Sequence, residues 1–185
     1  LWGLGYSATF FIKKKLNGEN VSGEEFWESN FMRLGIGLGV FLLLAVIFNL
    51  VKIPLDWKVF LVISLILPIY SLIKHFSQNK FDLTAELKKI KFTKAELYLL
   101  LGLLRFAFTF YMYHQGAFNY PYLEDDDPWE HARSVKYIAT EKTALEPYPD
   151  QDLFRYLDPY PPSYDILMEV LYQTNDSINW TLKFF

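Results

Sequence analysis

Three long apolar segments lie in the first two thirds of the chain. The segment from Leu34 to Val51 (LGIGLGVFLLLAVIFNLV) carries no charge, and a helix of that length, at about 1.5 Å per residue, can cross a bilayer. The segments from Val59 to Ile73 and from Leu97 to Tyr113 are shorter and similar in character. A helix buried in a protein core has the same pattern, but three such segments in 185 residues favour a membrane protein.

The two ends of the chain also have the pattern of apolar helices. Residues 1–12 (LWGLGYSATFFI) precede three lysines, and residues 178–185 (INWTLKFF) begin another apolar segment. In a signal peptide the basic residues come before the apolar stretch, so the first segment is not one. We therefore expect an all-α fold, a polytopic transmembrane helical bundle that belongs to a longer membrane protein. The expected spans are about 1–12, 34–51, 59–73 and 97–113, with a further span that begins at 177.

The segments between these spans carry two further signals. Thr93-Lys-Ala-Glu96 is a capping-box pattern and predicts the start of the last long helix. Residues 81–92 mix apolar residues with lysines. Such a segment either lies on the inner membrane surface or forms a solvated linker.

The distribution of lysine and arginine predicts the orientation of the spans. Basic residues concentrate in cytoplasmic loops, and the first loop carries Lys13 to Lys15 and Arg33. The short second loop carries Lys52 and Lys58, whereas residues 74–94 carry six lysines. The first and third loops are therefore expected in the cytoplasm, and everything after Tyr113 outside it. The protein would be a multi-pass cell-membrane protein, with residues 114–176 as an extracytoplasmic acidic loop that contains short helices.

The composition supports a membrane protein with an acidic outer part. The chain is 52% hydrophobic and has a formal net charge of −3. Residues 124–176 contain thirteen acids against two arginines and two lysines. This charge repels the phosphates of nucleic acids, so we expect no nucleic-acid partner. Because the chain has no cysteine, disulfides and thiolate metal sites are excluded.

Four consecutive acids, Glu124 to Asp127, come directly before Pro128 and Trp129. Asp127 has a local structural explanation, because Asp is a favoured N-cap, Pro is favoured at the first helical position and Glu130 completes a capping-box pattern. This predicts a helix from Pro128 to about Glu141. Its apolar face is expected to contain Trp129, Ala132, Val135 and Ile138 or Ala139.

The three acids before Asp127 are not explained by helix capping. Either they form a solvated turn, or a cation holds them together. Mg²⁺ and Mn²⁺ prefer carboxylate oxygens, and such a cation neutralises the charge of a phosphate leaving group. The clustered carboxylates of Glu124 to Asp127, just outside the membrane, would form half of such a site. His131, one helical turn beyond Asp127, is expected to add a ligand or a hydrogen bond.

Arg105 lies in the middle of an apolar segment, in LGLLRFAFTF. An arginine within the membrane costs a few kcal/mol and usually faces protein or a water-filled cavity. It pairs with a neighbouring helix, extends to the membrane surface, or attracts an anionic group at the outer end of the bundle.

The segment DDDPWEHARSVKYIA, placed after a membrane helix, resembles the first outer loop of oligosaccharyltransferase catalytic subunits, especially prokaryotic ones. These are GT-C membrane glycosyltransferases. In that family an aspartate followed by Pro and an aromatic residue, then commonly His or Asn and Arg, follows a transmembrane helix. Asp127 matches the metal-binding catalytic aspartate. The segment LDPYPPSYDILMEVLY resembles the Tyr-Pro-Pro segment that leads this loop back into the membrane.

The resemblance implies transfer of a sugar or oligosaccharide from a polyprenyl-phosphate or polyprenyl-pyrophosphate donor to a protein or glycan acceptor on the outer membrane face. The cofactor would be Mg²⁺ or Mn²⁺, and Asp127 would act as its ligand or as the base that activates the acceptor. The implied site residues are Asp127 and Asp125 as catalytic residues, Asp127, Asp125 and His131 as metal ligands, and Arg105, Arg133, Trp129 and Tyr160 as substrate contacts.

The resemblance covers residues 97–185, and the chain departs from the family pattern in two respects. The family pattern has one helix before the acidic loop, whereas this chain has at least two more predicted spans upstream. Neither the family's second acidic motif nor its acceptor-recognition motif is found. We therefore expect this chain by itself to be inactive. The alternative is a non-enzymatic membrane transport or assembly subunit whose acidic loop binds a cation or is solvated. The sequence contains no phosphate-binding glycine loop, Gly-x-Ser-x-Gly turn or His-Glu-x-x-His zinc motif.

Overall fold

A computed structural model of the chain describes residues 1–16, 23–78, 94–123, 126–145 and 162–184. Every regular element in these ranges is an α-helix, so the all-α prediction is confirmed. The helices are α1 (Trp2–Leu16), α2 (Gly23–Leu50), α3 (Trp57–Gln78), α4 (Lys94–Asn119), α5 (Asp126–Glu141), α6 (Ser163–Asn175) and α7 (Ile178–Phe184).

Three of these helices are long and apolar enough to cross a membrane. The apolar parts are Glu28–Leu50 in α2, Trp57–Lys74 in α3 and Leu97–Asn119 in α4. Large apolar side chains along them are exposed, for example Leu43 at 65% and Phe106 at 67%. Exposed apolar surface of this extent is typical of helices that contact lipid. Helix α1, at 15 residues, is shorter than the length needed to span a bilayer.

The helices extend beyond the predicted spans. Helix α4 continues past the expected end at Tyr113 to Asn119, because residues 114–119 contain neither proline nor charged residues. It ends just before Tyr120-Pro121, where proline disfavours helical geometry in the preceding residue. Its first residue, Lys94, directly follows the predicted cap. Thr93 itself and residues 81–92 lie outside the described residues.

The chain divides into two compact units, of which the first comprises Leu1–Phe41 and Leu61–Thr109. Within it, α1 packs against its neighbours through glycines. A Cβ atom at Gly5 would overlap the backbone carbonyl of Arg33, and one at Gly3 would overlap that of Ser64. Close backbone approach through small residues is a common way for helices to associate in membranes. The glycines of α1 are therefore required by packing.

Polar side chains reinforce the same contacts in the first unit. Trp2 Nε1 donates a hydrogen bond to Asn30 Oδ1 at 2.8 Å. The guanidinium of Arg33 lies 4.8 Å from the centre of the Tyr6 ring, within the range of a cation–π interaction. The hydroxyl of Tyr6 donates to Ser71 Oγ at 2.6 Å.

The second unit comprises Leu42–Phe60 and Phe110–Phe185. Helices α5, α6 and α7 pack against one another, and apolar side chains such as Val135, Ile138 and Met168 are buried there. Residues 42–60 join them through polar contacts. The buried Asn49 Oδ1 accepts the backbone N–H of Ala144 at 2.6 Å.

The predicted apolar face of α5 needs one correction. Ala132, Val135 and Ile138 are buried as expected, but Trp129 is 49% exposed, and Tyr137 is buried instead. Tyr137 lies two positions beyond Val135, about 200° around a helix with 3.6 residues per turn. Helix α5 is therefore covered on two sides, which a single apolar stripe does not predict.

The close glycine contact generates a prediction about stability. We expect Gly5→Ala to destabilise the first unit by roughly 1–3 kcal/mol, because the added methyl group has no space beside the backbone of Arg33. The matched control is Gly35→Ala, since a Cβ at Gly35 meets nothing within 4 Å. Thermal unfolding of the purified protein in detergent measures both. Equal midpoints for the two variants would contradict the packing described above.

Candidate functional site

The acidic motif lies at the start of α5. The helix begins at Asp126, two residues before the predicted start at Pro128. Asp127 is therefore a residue of the first turn, whereas the sequence predicted it one position before the helix. Both Asp126 and Asp127 are exposed. Their negative charges are favourable there because the N-terminal end of a helix carries a partial positive charge.

The other predicted site residues are distributed over the chain. Asp125 and Tyr160 lie outside the described residues. Arg105 is exposed on the part of α4 that belongs to the first unit, whereas α5 belongs to the second. Trp129 is exposed near the start of α5. Arg133 Nη2 donates to Glu130 Oε1 at 2.9 Å, one turn earlier on the same helix.

The predicted cation site is only partly represented in the described residues. Asp127 and His131 are four positions apart on α5, so they share one side of the helix. Across residues 1–16, 23–78, 94–123, 126–145 and 162–184, no group of three His, Asp or Glu side chains is arranged to hold a metal ion. A Mg²⁺ or Mn²⁺ ion needs about six ligands. The described side chains therefore do not form a complete site, and the metal stays a prediction.

The structure brings His131 into contact with a residue that the sequence did not indicate. His131 Nδ1 and Asp165 Oδ1 lie 2.7 Å apart, across the interface of α5 and α6. Asp165 is fully buried and His131 is partly exposed. The Tyr164 ring packs against the imidazole in a T-shaped arrangement, with 4.9 Å between ring centres. An ionised Asp165 can only accept, so the Nδ1 atom then carries the proton and donates it.

Asp165 begins a line of polar side chains along α6. Glu169 and Gln173 follow at intervals of four residues, which places all three on one face of the helix. Gln173 Nε2 donates to Glu169 Oε2 and also to the carbonyl of Leu55, the latter at 3.0 Å. Its Oε1 accepts the backbone N–H of Trp57 at 3.2 Å. We call Asp165, Glu169 and Gln173 the α6 polar stripe.

Two carboxyl oxygens of the stripe are buried without a hydrogen-bond partner in the described part of the chain. They are Asp165 Oδ2 and Glu169 Oε1. A buried charge without full compensation is costly, so burial raises the pKa of Glu169 to about 8, against the opposing hydrogen bond from Gln173. Burial also raises the pKa of Asp165, while the contact with His131 opposes the shift. Glu169 is thus protonated at neutral pH.

The α6 polar stripe was detectable in the sequence. The segment SYDILMEVLYQTN places Asp, Glu and Gln at positions i, i+4 and i+8 among mostly apolar residues. Polar residues at that spacing either form the solvent-facing side of an amphipathic helix or, as here, face neighbouring elements, with Asp165 and Glu169 buried. Sequence alone does not distinguish the two, because the choice depends on what covers the helix.

Comparison of this chain with protein-family models, with curated proteins and with solved structures gave no match.

The burial of Glu169 predicts how stability depends on pH. In the unfolded chain its carboxyl loses its proton near the ordinary pKa of 4.5, whereas in the folded protein it keeps the proton up to about pH 8. Between these values the unfolded state binds fewer protons, so the free energy of unfolding falls as the pH rises, by an amount on the order of a few kcal/mol. Below pH 4.5 the contribution is fully present.

Glu169→Gln is expected to remove this pH dependence, because glutamine is a neutral isostere of the protonated carboxyl. Thermal unfolding in detergent measures the pH dependence of stability for each variant. The series runs from about pH 5 to about pH 8, the range in which the folded and unfolded states bind different numbers of protons. Glu141→Gln, at an exposed position of α5, is the matched control and should keep the wild-type pH dependence. A wild-type slope in Glu169→Gln would show that another group causes it.

Proposed function

We propose that this chain is part of an integral-membrane glycosyltransferase of the GT-C type. It would move a sugar or oligosaccharide from a polyprenyl-phosphate or polyprenyl-pyrophosphate donor to a protein or glycan acceptor on the outer membrane face. The proposal is supported by the resemblance of DDDPWEHARSVKYIA to the outer loop of oligosaccharyltransferases. It is also supported by three helices that are long and apolar enough to cross a membrane.

The observation that carries the proposal is the 2.7 Å contact between His131 and Asp165. His131 belongs to the acidic motif, and Asp165 follows Tyr160-Pro161-Pro162 by three residues. His131 and Asp165 come from the two segments that resemble the family and are 34 positions apart in the chain, yet their side chains meet. A solvated acidic turn has no need of a buried carboxyl partner, whereas a site that must hold its side chains in position does.

The roles of the residues follow from their surroundings. Asp127 is exposed at the first turn of α5, where it is accessible to a donor phosphate or an acceptor hydroxyl or amide. His131 is held in one orientation by Asp165, so the end of α5 that carries Asp127 is anchored to α6. A divalent cation on Asp127, Asp125 and His131 would neutralise phosphate charge. Arg133, Trp129, Arg105 and Tyr160 stay in the proposal as substrate contacts.

A second candidate function, a non-enzymatic membrane subunit, is favoured by one observation. The charges of Asp126 and Asp127 at the helix N-terminus are stabilising without any ligand. In that case the exposed acids have only a structural and solubilising role, and neither carboxylate is needed for chemistry.

The test compares Asp127→Asn with Asp126→Asn in the full-length gene in its own host, at matched abundance in the membrane. Both acids are exposed in the same turn of α5, so both variants lose the same charge near the same helix end. We expect Asp127→Asn to lower the amount of one defined surface glycan by about 100-fold or more, the effect of losing a catalytic acid or base. Asp126→Asn should leave it near the wild-type level.

Surface glycans and glycoproteins are compared by mass spectrometry, with a strain that lacks the gene as the reference. An unchanged profile in both Asp127→Asn and the deletion strain would contradict the glycosyltransferase proposal and favour the non-enzymatic subunit. Equal loss in Asp126→Asn and Asp127→Asn would assign the effect to the charge of the helix terminus and not to Asp127.

A further inference from the structure

Lys183 on α7 is a buried cation in the second unit. Lys183 is only 9% exposed. The ammonium donates to the carbonyl of Ala117 at 2.9 Å and to that of Tyr120, at the end of α4. It also lies 5.8 Å from the centre of the Tyr120 ring and 6.0 Å from that of Phe118. Helix-terminal carbonyls and ring faces are favourable neighbours for a cation.

The positive charge of Lys183 is not balanced by a carboxylate within the described residues. The described ion pairs involve His131 with Asp165, Arg133 with Glu130, and Lys142 with Asp56. A lysine is almost never fully buried unless it is paired. Its three N–H groups exceed the two carbonyls that accept from them here. The surroundings of Lys183 therefore leave both positive charge and donor capacity for an anion.

Lys183 lines a cavity of about 460 Å³ in the second unit. The rest of the wall is mostly apolar and includes Met112, Leu123, Pro128 and Leu182, together with the ring of Tyr113. Among the described residues that line it, Lys183 is the only charged one. Cavities of a few hundred Å³ with an apolar wall and a few polar groups are typical of ligand sites. An anion attached to an apolar chain matches this combination of charge and wall.

The position of the cavity connects it to the proposed site. Pro128 immediately follows Asp127 in the first turn of α5, and Met112 lies near the end of the apolar part of α4. The cavity is thus adjacent both to a helix suited to the membrane and to the acidic motif. The exposed carboxylates of Asp126 and Asp127 repel an anion, so the charge of Lys183 must offset that repulsion.

We propose that this cavity binds the polyprenyl-phosphate part of the lipid-linked donor, with the phosphate at Lys183 and the first isoprene units along the apolar wall. The choice of ligand rests on the proposed function. The observations that carry the proposal are the buried ammonium without a carboxylate partner and the apolar cavity beside Pro128.

The first experiment measures binding of a long-chain polyprenyl phosphate to the full-length protein in detergent. We expect Lys183→Met to weaken this binding about tenfold or more, the loss associated with one hydrogen bond to a charged group. Binding of the neutral polyprenol should not change, because the methionine keeps the apolar wall. Lys136→Met, which removes an exposed lysine from α5, is the matched control and should bind as wild type.

A second variant tests the cavity without changing any charge. Gly116 lines the cavity, and a Cβ at this position meets nothing within 4 Å. Gly116→Leu should therefore fold and fill part of the space, which weakens the binding of polyprenyl phosphate and polyprenol alike. Gly102→Leu is the control, since Gly102 lies on the same helix with the same open surroundings but outside the cavity.

Three results would overturn the proposal. The first is wild-type affinity for polyprenyl phosphate in both Lys183→Met and Gly116→Leu. The second is that inorganic phosphate competes for the site as well as polyprenyl phosphate itself does, which would identify a simple anion site. The third is that phosphatidic acid competes as well as polyprenyl phosphate does, which would identify a site for bilayer lipids. The glycan measurement on Asp127→Asn is separate, because binding needs no transfer. If Asp127→Asn loses glycan transfer while Lys183→Met and Gly116→Leu both bind polyprenyl phosphate as wild type does, only the cavity assignment is overturned.

Discussion

The second unit depends on the hydrogen bonds of the α6 polar stripe, in which Asp165 and Glu169 are buried. Asp165, Glu169 and Gln173 occupy one face of a helix that is largely covered by other elements. Each unsatisfied polar group in such a place costs on the order of 1–3 kcal/mol. The partners come from His131 on α5 and from the backbone of Leu55 and Trp57. Because these partners are at defined positions, α6 cannot rotate or shift along its neighbours without breaking hydrogen bonds.

This requirement also relates the structure to the proposed chemistry. Asp126 and Asp127 of the DDDPW motif are exposed, but the helix that carries them is anchored one turn further on by the contact of His131 with the buried Asp165. A reactive carboxylate must meet its substrate in water or at a membrane surface, and its backbone must nevertheless hold a constant position. Helix α5 meets both needs because its first turn is exposed while Ala132, Val135 and Ile138 are buried.

Sequence patterns predicted individual helices well and their surroundings poorly. The long apolar segments are helices because segments of this kind, with Arg105 as their one interior charge and no closely spaced breakers, form helices in any apolar environment. The acidic motif was expected to cap a helix, but α5 includes Asp126 and Asp127 in its first turn. Trp129 was expected to be buried, yet Tyr137 takes part in the core instead. The second difference arises because neighbouring helices, and not local propensity, determine which side of α5 is covered.

The sequence by itself determined the all-α class, three helices long and apolar enough to span a membrane, and the position of the acidic motif at the start of a helix. Each of these follows from residues close together in the chain, through hydropathy, spacing and the preference of Asp and Pro for helix N-termini. Only the tertiary structure decided that His131 contacts Asp165, that Glu169 is buried, and that Lys183 faces the end of α4. These contacts join residues separated by 34 positions or more, and no local pattern specifies which distant side chain will complete a buried hydrogen bond.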